Sequence, residues 1–219
     1  MDIDLRDMRN IGGYNPQISY QSMAVSTVTI DIAVSEMGDP WPVDDKEHMI
    51  IRAGDRVIMY GIVTKRRSWG DGKAHYRSIE VSDYWYYLEH TPAVQDSPDW
   101  SKARYRPKGD LSRAYPNNPV VVRPSNQIRV AVTEGNNRVP IGAALRSIVT
   151  AGLARIPRPV MLDPYIYIGN DAEMVPWSTG LSNYGPLIRK FLSWRPRLTS
   201  RWSYSGGTPQ LVIVDSSIY

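Results

Sequence analysis

The sequence predicts a mainly β chain with short helices, an α+β class whose first part folds as a compact antiparallel barrel or sandwich. Three features predict it: residues 28–34 alternate at the period of a strand, residues 57–63 form an apolar run between turn signals, and helical periodicity is confined to two short stretches in the last third.

Taken in order, Val28, Ile30, Ile32 and Val34 alternate with Thr29, Asp31 and Ala33, which puts one face of this strand in a core and the other in water. Gly38-Asp39-Pro40-Trp41-Pro42 then turns the chain. Residues 50–56 lead into Val57-Ile58-Met59-Tyr60-Gly61-Ile62-Val63, a run apolar on both faces that belongs inside a closed or covered sheet, with Gly61 marking a bulge or a close backbone approach. Trp69-Gly70-Asp71-Gly72-Lys73 is the next turn, and residues 76–81 return as the hairpin partner. Asp83-Tyr84-Trp85-Tyr86-Tyr87-Leu88-Glu89 follows as a short helix or strand end. Four adjacent aromatics cannot all face one side of one element, so some must meet another segment or another chain.

From Thr91 to Pro140 the texture changes. Prolines at 92, 98, 107, 116, 119, 124 and 140 rule out a continuous helix or a central strand, leaving a long loop with short strands at 120–122 and 128–132. A loop of this length in a compact chain is characteristically functional or bound to a partner. Ile141, Ala144, Leu145, Ile148 and Val149 then recur at helical spacing behind Pro140 and ahead of Gly152. Asn183 caps a second helix with Pro186 in its first turn and Leu187, Ile188, Phe191 and Leu192 on one face, ending before Pro196. Leu198, Ser200, Trp202 and Tyr204 alternate, residues 205–209 turn, and residues 211–214 close a hairpin. The expected organisation is a β-barrel domain over 1–90, a proline-rich connection over 91–139, and a helix, helix and hairpin part over 140–219.

At 219 residues and 24.8 kDa, with 42% apolar and 22% charged residues, the chain has material for one large domain or two small ones, and its composition excludes a disordered or fibrous protein. Its aromatics are skewed, with 14 Tyr and 7 Trp against one Phe, toward rings with a polar edge that suit sheets and interfaces. There is no cysteine, which removes disulfides, thiolate nucleophiles and Cys-type zinc sites. No stretch reads as a signal peptide or a membrane span. The net charge of +4 is polarised: residues 1–96 carry 10 Lys/Arg against 15 Asp/Glu, and residues 97–219 carry 16 against 7, or −5 and +9. Such polarity suits head-to-tail stacking or an acidic partner.

The residues offer little catalytic chemistry. His48, His75 and His90 have no ligand spacing, no Gly-x-Ser-x-Gly elbow occurs, and Gly12-Gly13 and Gly206-Gly207 are turn signals without a phosphate-binding pattern. Asp44, Asp45 and Glu47 read as a solvated turn. A hydrolase requires Asp83 or Glu89 to meet another carboxylate across the fold. Lys102, Arg104, Arg106, Lys108 and Arg113, interleaved with Trp100, Tyr105 and Tyr115, have the cations and rings that single-stranded nucleic acid favours, a composition shared by protein interfaces. The candidate contact residues are Trp85, Tyr86, Tyr87, Trp100, Arg104, Arg106, Trp194 and Trp202. No metal or cofactor is expected.

Residues 53–66, Ala-Gly-Asp-Arg-Val-Ile-Met-Tyr-Gly-Ile-Val-Thr-Lys-Arg, followed by a hairpin and by Val81-Ser82-Asp83-Tyr84-Trp85-Tyr86-Tyr87-Leu88-Glu89, resemble bacteriophage tail hub proteins, the baseplate hub at the tip of the tail tube. Leu187-Ile188-Arg189-Lys190-Phe191-Leu192-Ser193-Trp194-Arg195-Pro196, with Trp202-Ser203-Tyr204-Ser205 and Thr208-Pro209-Gln210-Leu211, is similar to a helix-and-hairpin segment of phage tail proteins that carry the same first segment. The resemblance implies a tail-tube-like antiparallel β-barrel and a trimeric ring. The ring joins the tail tube to a distal baseplate or spike, neighbours the tape measure protein, and touches DNA only as it passes the lumen. It implies no catalytic residue, no membrane segment, assembly in the bacterial cytoplasm and a final place in the virion. Hub proteins of this kind often continue beyond such a length, so a further portion or a short version is also expected. The competing reading is a carbohydrate- or single-stranded nucleic-acid-binding β-barrel module.

Overall fold

The computed structural model describes residues 1–34, 39–70, 75–93, 127–130, 139–157, 163–169, 172–174, 177–180, 182–195 and 197–216. Six strands form its main sheet: β1 (Asp2–Asp4), β2 (Gly13–Ser19), β3 (Thr27–Ile32), β4 (His48–Ala53), β5 (Arg56–Gly70) and β6 (His75–Asp83). They lie in the order β1-β4-β5-β6-β3-β2, a curled half-barrel whose edge strands, β1 and β2, are not paired with one another among the described residues. All neighbours are antiparallel except β1 and β4.

The expected alternation holds in β3, where Val28, Ile30 and Ile32 are buried. The run in β5 is buried on both faces, as its composition predicts. Met59 and Val63 enter an inner core with Ile3, Ile11, Val28, Ile30, Met49, Ile51, Ile79 and Val81. Tyr60 and Ile62, on the other face, enter a second core with the C-terminal part. Gly61 between them marks a close approach: a Cβ there would lie 2.3 Å from the carbonyl oxygen of Ser82. The irregular registers lie elsewhere, between Ile51 and Arg52 and between Val63 and Lys65. Residues 39–43 do more than turn. Val43 is buried in the inner core, and the Trp41 ring lies 4.9 Å from the Arg77 guanidinium and 5.5 Å from that of Arg66.

Two strands have no strong signal in the sequence. Only Ile3 is apolar in β1, which is held by tertiary contacts: Ile3 is fully buried, Arg52 Nε donates to Asp2 at 2.7 Å, and the Met1 amine donates to the His48 carbonyl at 2.7 Å. Strand β2 contains Pro16 and a left-handed Asn15 (φ 49), features that only an edge strand with an irregular register tolerates.

The aromatic run forms helix α1 (Trp85–His90). Helix α2 (Ile141–Leu153) continues through Gly152, where the sequence suggested a stop. The glycine serves packing instead, since a Cβ would lie 2.9 Å from Leu88 and 3.0 Å from Tyr184. Helix α3 (Tyr184–Ser193) and the hairpin of β12 (Leu198–Ser203) and β13 (Gln210–Asp215) form where expected. Between α1 and α3 in the chain, β7 (Gln127–Val130) pairs with β11 (Trp177–Gly180), β8 (Val139–Pro140) with β10 (Glu173–Met174), and β9 (Tyr165–Tyr167) runs parallel to β13. The rest of the proline-rich stretch, including the strand expected at 120–122, lies outside the described residues.

Replacing Gly61 with Ala forces the new methyl group onto backbone. The expected cost is about 1–3 kcal/mol in urea denaturation, the range for overpacking a filled core; an unchanged midpoint would contradict the close approach.

Candidate assembly interface

The region around α1 is built from the end of β6 outward. Asp83 is buried, and its carboxyl oxygens accept the backbone N–H groups of Ser26 (3.1 Å) and Trp85 (3.0 Å), while its own N–H donates to the Ser26 carbonyl (2.9 Å). The carboxyl thus ties β3 to the first turn of α1. Burial raises its pKa to about 7 against the lowering pull of those hydrogen bonds. One turn on, Trp85 Nε1 donates to Glu89 Oε1 at 2.6 Å. Glu89 also receives both guanidinium nitrogens of Arg189 from α3, and its carbonyl accepts Asn183 Nδ2 at 2.5 Å. Arg189 reaches on to the Met23 carbonyl at 3.2 Å. Both carboxylates therefore hold structural positions, Asp83 on backbone amides and Glu89 on an arginine.

The outer face of α1 carries a ring cluster. Tyr86 stacks on His90 with centroids 4.1 Å apart and accepts a hydrogen bond from Lys46 Nζ at 2.9 Å. That bond raises the lysine's pKa. Tyr87 stacks on His48 at 6.4 Å, and the His48 ring also meets the Tyr84 hydroxyl at 3.2 Å. Burial pushes the Tyr84, Tyr87 and Tyr204 phenols up.

The candidate contact residues are dispersed by the fold. Trp85 is only 2% exposed, in the cluster with Leu145, Ile188 and Phe191, and so is a core side chain of its own chain. Tyr86 and Tyr87 are half-buried on α1. Trp194 is 44% exposed at the end of α3, against Phe191. Trp202 is half-buried, edge-on to Tyr84 at 6.1 Å, and its buried Nε1 has no hydrogen-bond acceptor among the described residues. Trp100, Arg104 and Arg106 lie outside the described residues.

Other exposed apolar side chains went unnoticed in the sequence. Tyr14 (45%), Ile18 (41%) and Tyr20 (64%) follow β2, and Trp69 (48%) and Tyr76 (38%) stack across the far end of the β5–β6 hairpin at 5.9 Å. The signal was the alternation Tyr14, Pro16, Ile18, Tyr20, masked by the proline. Among the described residues, no cluster of His, Asp and Glu has the makings of a metal site, and no helix is long and apolar enough to cross a membrane.

No protein-family model matches the chain, and no curated protein does. Among solved structures, an E. coli protein that is a component of the type VI secretion system, and exhibits structural similarity to the T4 bacteriophage tail proteins gp27 and gp5, superposes with a TM-score of 0.54 over 92% of this chain and 49% of its own, at 9% identity. The two chains share one fold. The tail protein of Neisseria meningitidis follows at a TM-score of 0.49 (10% identity, 87% of this chain and 42% of that one). The 43 kDa tail protein of prophage MuSo2 from Shewanella oneidensis has 0.48 (13% identity, 88% and 45%). This chain spans less than half the length of each. The tail-hub resemblance of the sequence and the shared fold point the same way.

Two outcomes follow from the junction. Trp85→Ala is expected to cost about 3–5 kcal/mol of stability, as for a buried tryptophan, and Tyr86→Ala much less; equal effects in thermal melts would place Trp85 outside the core. The Asp83 carboxyl has a folded-state pKa of about 7 against an ordinary 3.8, so its contribution to stability is full below about pH 4 and is lost as pH rises toward 7. Relative to Asp83→Asn, the wild-type chain is expected to lose roughly 3–4 kcal/mol between pH 4 and pH 8, at about 1.4 kcal/mol per pKa unit. A pH-independent difference in urea denaturation would refute this.

Proposed function

We propose that this chain is a structural tail hub protein, working at the tail tip of a phage or of a machine built like one, where a homotrimeric ring joins the tail tube to the distal baseplate or spike. One observation carries the reading: a fold matched over 92% of the chain by a secretion-system component similar to gp27 and gp5 leaves Tyr14, Tyr20 and Trp69 exposed along the edges of its main sheet. Monomeric proteins rarely leave large apolar patches bare, and edge strands with free amides invite another chain. In this reading residues 1–90 build the ring, residues 91–139 reach a neighbouring subunit or protein, and residues 140–219 brace the barrel from outside. The neighbours are the tube protein and tape measure above and the distal tail or spike proteins below. The work is done by contacts rather than by catalysis, and DNA meets the protein only in transit.

The test is the mass of the purified chain by light scattering across a concentration series, with and without a single-stranded oligonucleotide. A trimer that ignores the oligonucleotide is expected. A monomer at high concentration, with one copy per particle in tail reconstructions, overturns the reading. A salt-dependent complex with the oligonucleotide would replace it with a nucleic-acid-binding module.

A further inference from the structure

Three strand edges among the described residues are closed off by side chains. Strand β1 is three residues long, and its Asp2 carbonyl accepts Asn10 Nδ2 at 3.4 Å. At β9 the Arg146 guanidinium donates to the carbonyls of Pro164 (3.0 Å) and Ile166 (3.3 Å). At β12 the Ser22 hydroxyl bonds both the N–H (3.3 Å) and the carbonyl (3.2 Å) of Ser200. A side chain that fills backbone hydrogen-bonding groups blocks the addition of a strand.

In the main sheet two edges are left open among the described residues. One is the outer edge of β2, whose last six residues are exposed. The other is the distal part of β5: its pairing on the β4 side ends at Val63, which exchanges backbone hydrogen bonds with Lys46 and Glu47, and residues 65–70 are all exposed. Here the sheet narrows to four strands, β5-β6-β3-β2, with these two edges on its opposite sides. They also stand level. Arg67 pairs with Ser78, Ser78 with Asp31, and Asp31 with Tyr14; Lys65 pairs with Glu80, Glu80 with Thr29, and Thr29 with Gln17.

We infer that the ring contact is a pairing of these two edges: β2 of one copy adds antiparallel to the distal half of β5 of the next, with residues 13–17 facing residues 65–68. This rests on the ring-forming reading above and names its interface. The direction follows from the sheet, because its four strands alternate and β2 therefore runs opposite to β5. So does the choice of partner. A β5–β5 contact sets Lys65, Arg66 and Arg67 against the same cations, and like charges directly opposite destabilise a strand pair. Strand β2 (GYNPQIS) carries no charge and offers the Tyr14 ring to Arg67. A contact between two different patches is heterologous, and it makes rings when the rotation closes. The exposed Trp69 and Tyr76 at one end, and Ile18 and Tyr20 at the other, flank the paired stretch.

The chain has no cysteine, so introduced thiols are unique. Gln17→Cys and Lys65→Cys variants are mixed and treated with a short bismaleimide, alongside each variant alone and the double variant. The expected result is a covalent dimer only in the mixture, and in the double variant a ladder that ends at the oligomer size. Tyr14→Cys with Arg67→Cys is expected to repeat the pattern, which guards against one variant misfolding. Self-linking of Gln17→Cys alone indicates a β2–β2 contact and overturns the inference. Oligomers of the expected mass that link neither pair overturn it too, while leaving the ring reading in place. Monomers at every concentration remove both.

Discussion

Strand β5 is buried on both faces through its middle, and this double burial is what the rest of the structure is arranged around. Met59 and Val63 close the inner core of the half-barrel, while Tyr60 and Ile62 seat the C-terminal hairpin and, with α1, the two longer helices. One strand therefore belongs to two cores. Burying four such side chains is worth several kcal/mol of transfer free energy, since each contributes roughly 1.5–3. The close approach at Gly61 lets β6 lie near enough for both cores to pack.

The second core needs its elements held at fixed angles, and polar groups do this at its margin. Asp83 joins β3 to α1, Glu89 and Arg189 join α1 to α3, and Arg189 continues to Met23. The Tyr60 hydroxyl donates to the Gly207 carbonyl, tying the sheet to the turn of the C-terminal hairpin. These bonds connect segments far apart in sequence, so the C-terminal part is fixed to the half-barrel sheet.

Much of this was legible in the sequence, for physical reasons. The alternation in β3, the two-sided run in β5 and the apolar stripe of α3 are local patterns that tertiary contacts reinforce, whereas the Asn183 side chain, expected to cap α3, donates instead to the Glu89 carbonyl. Strands β1 and β2 were not legible: Asp2–Asp4 is a strand because of Arg52 and the backbone of β4, and Gly13–Ser19 despite Pro16. Sequence also misplaced the ring most suited to an interface by type. Trp85 has the composition of a contact residue and the burial of a core one, a distinction that the turn of α1 onto α3 decides. The exposed set at β2 was hidden in a different way, since Pro16 masks the alternation that carries it.

The long-range ties also bear on how the chain is made. The outer face of β5 meets much of its cover in residues such as Leu187, Phe191, Leu211 and Ile213. At about 5–20 residues per second of synthesis, Tyr60 and Ile62 wait many seconds on the ribosome before that cover exists. Pairings of such high sequence separation form slowly once available. The half-barrel is thus made with one apolar side only partly covered until the last residues emerge.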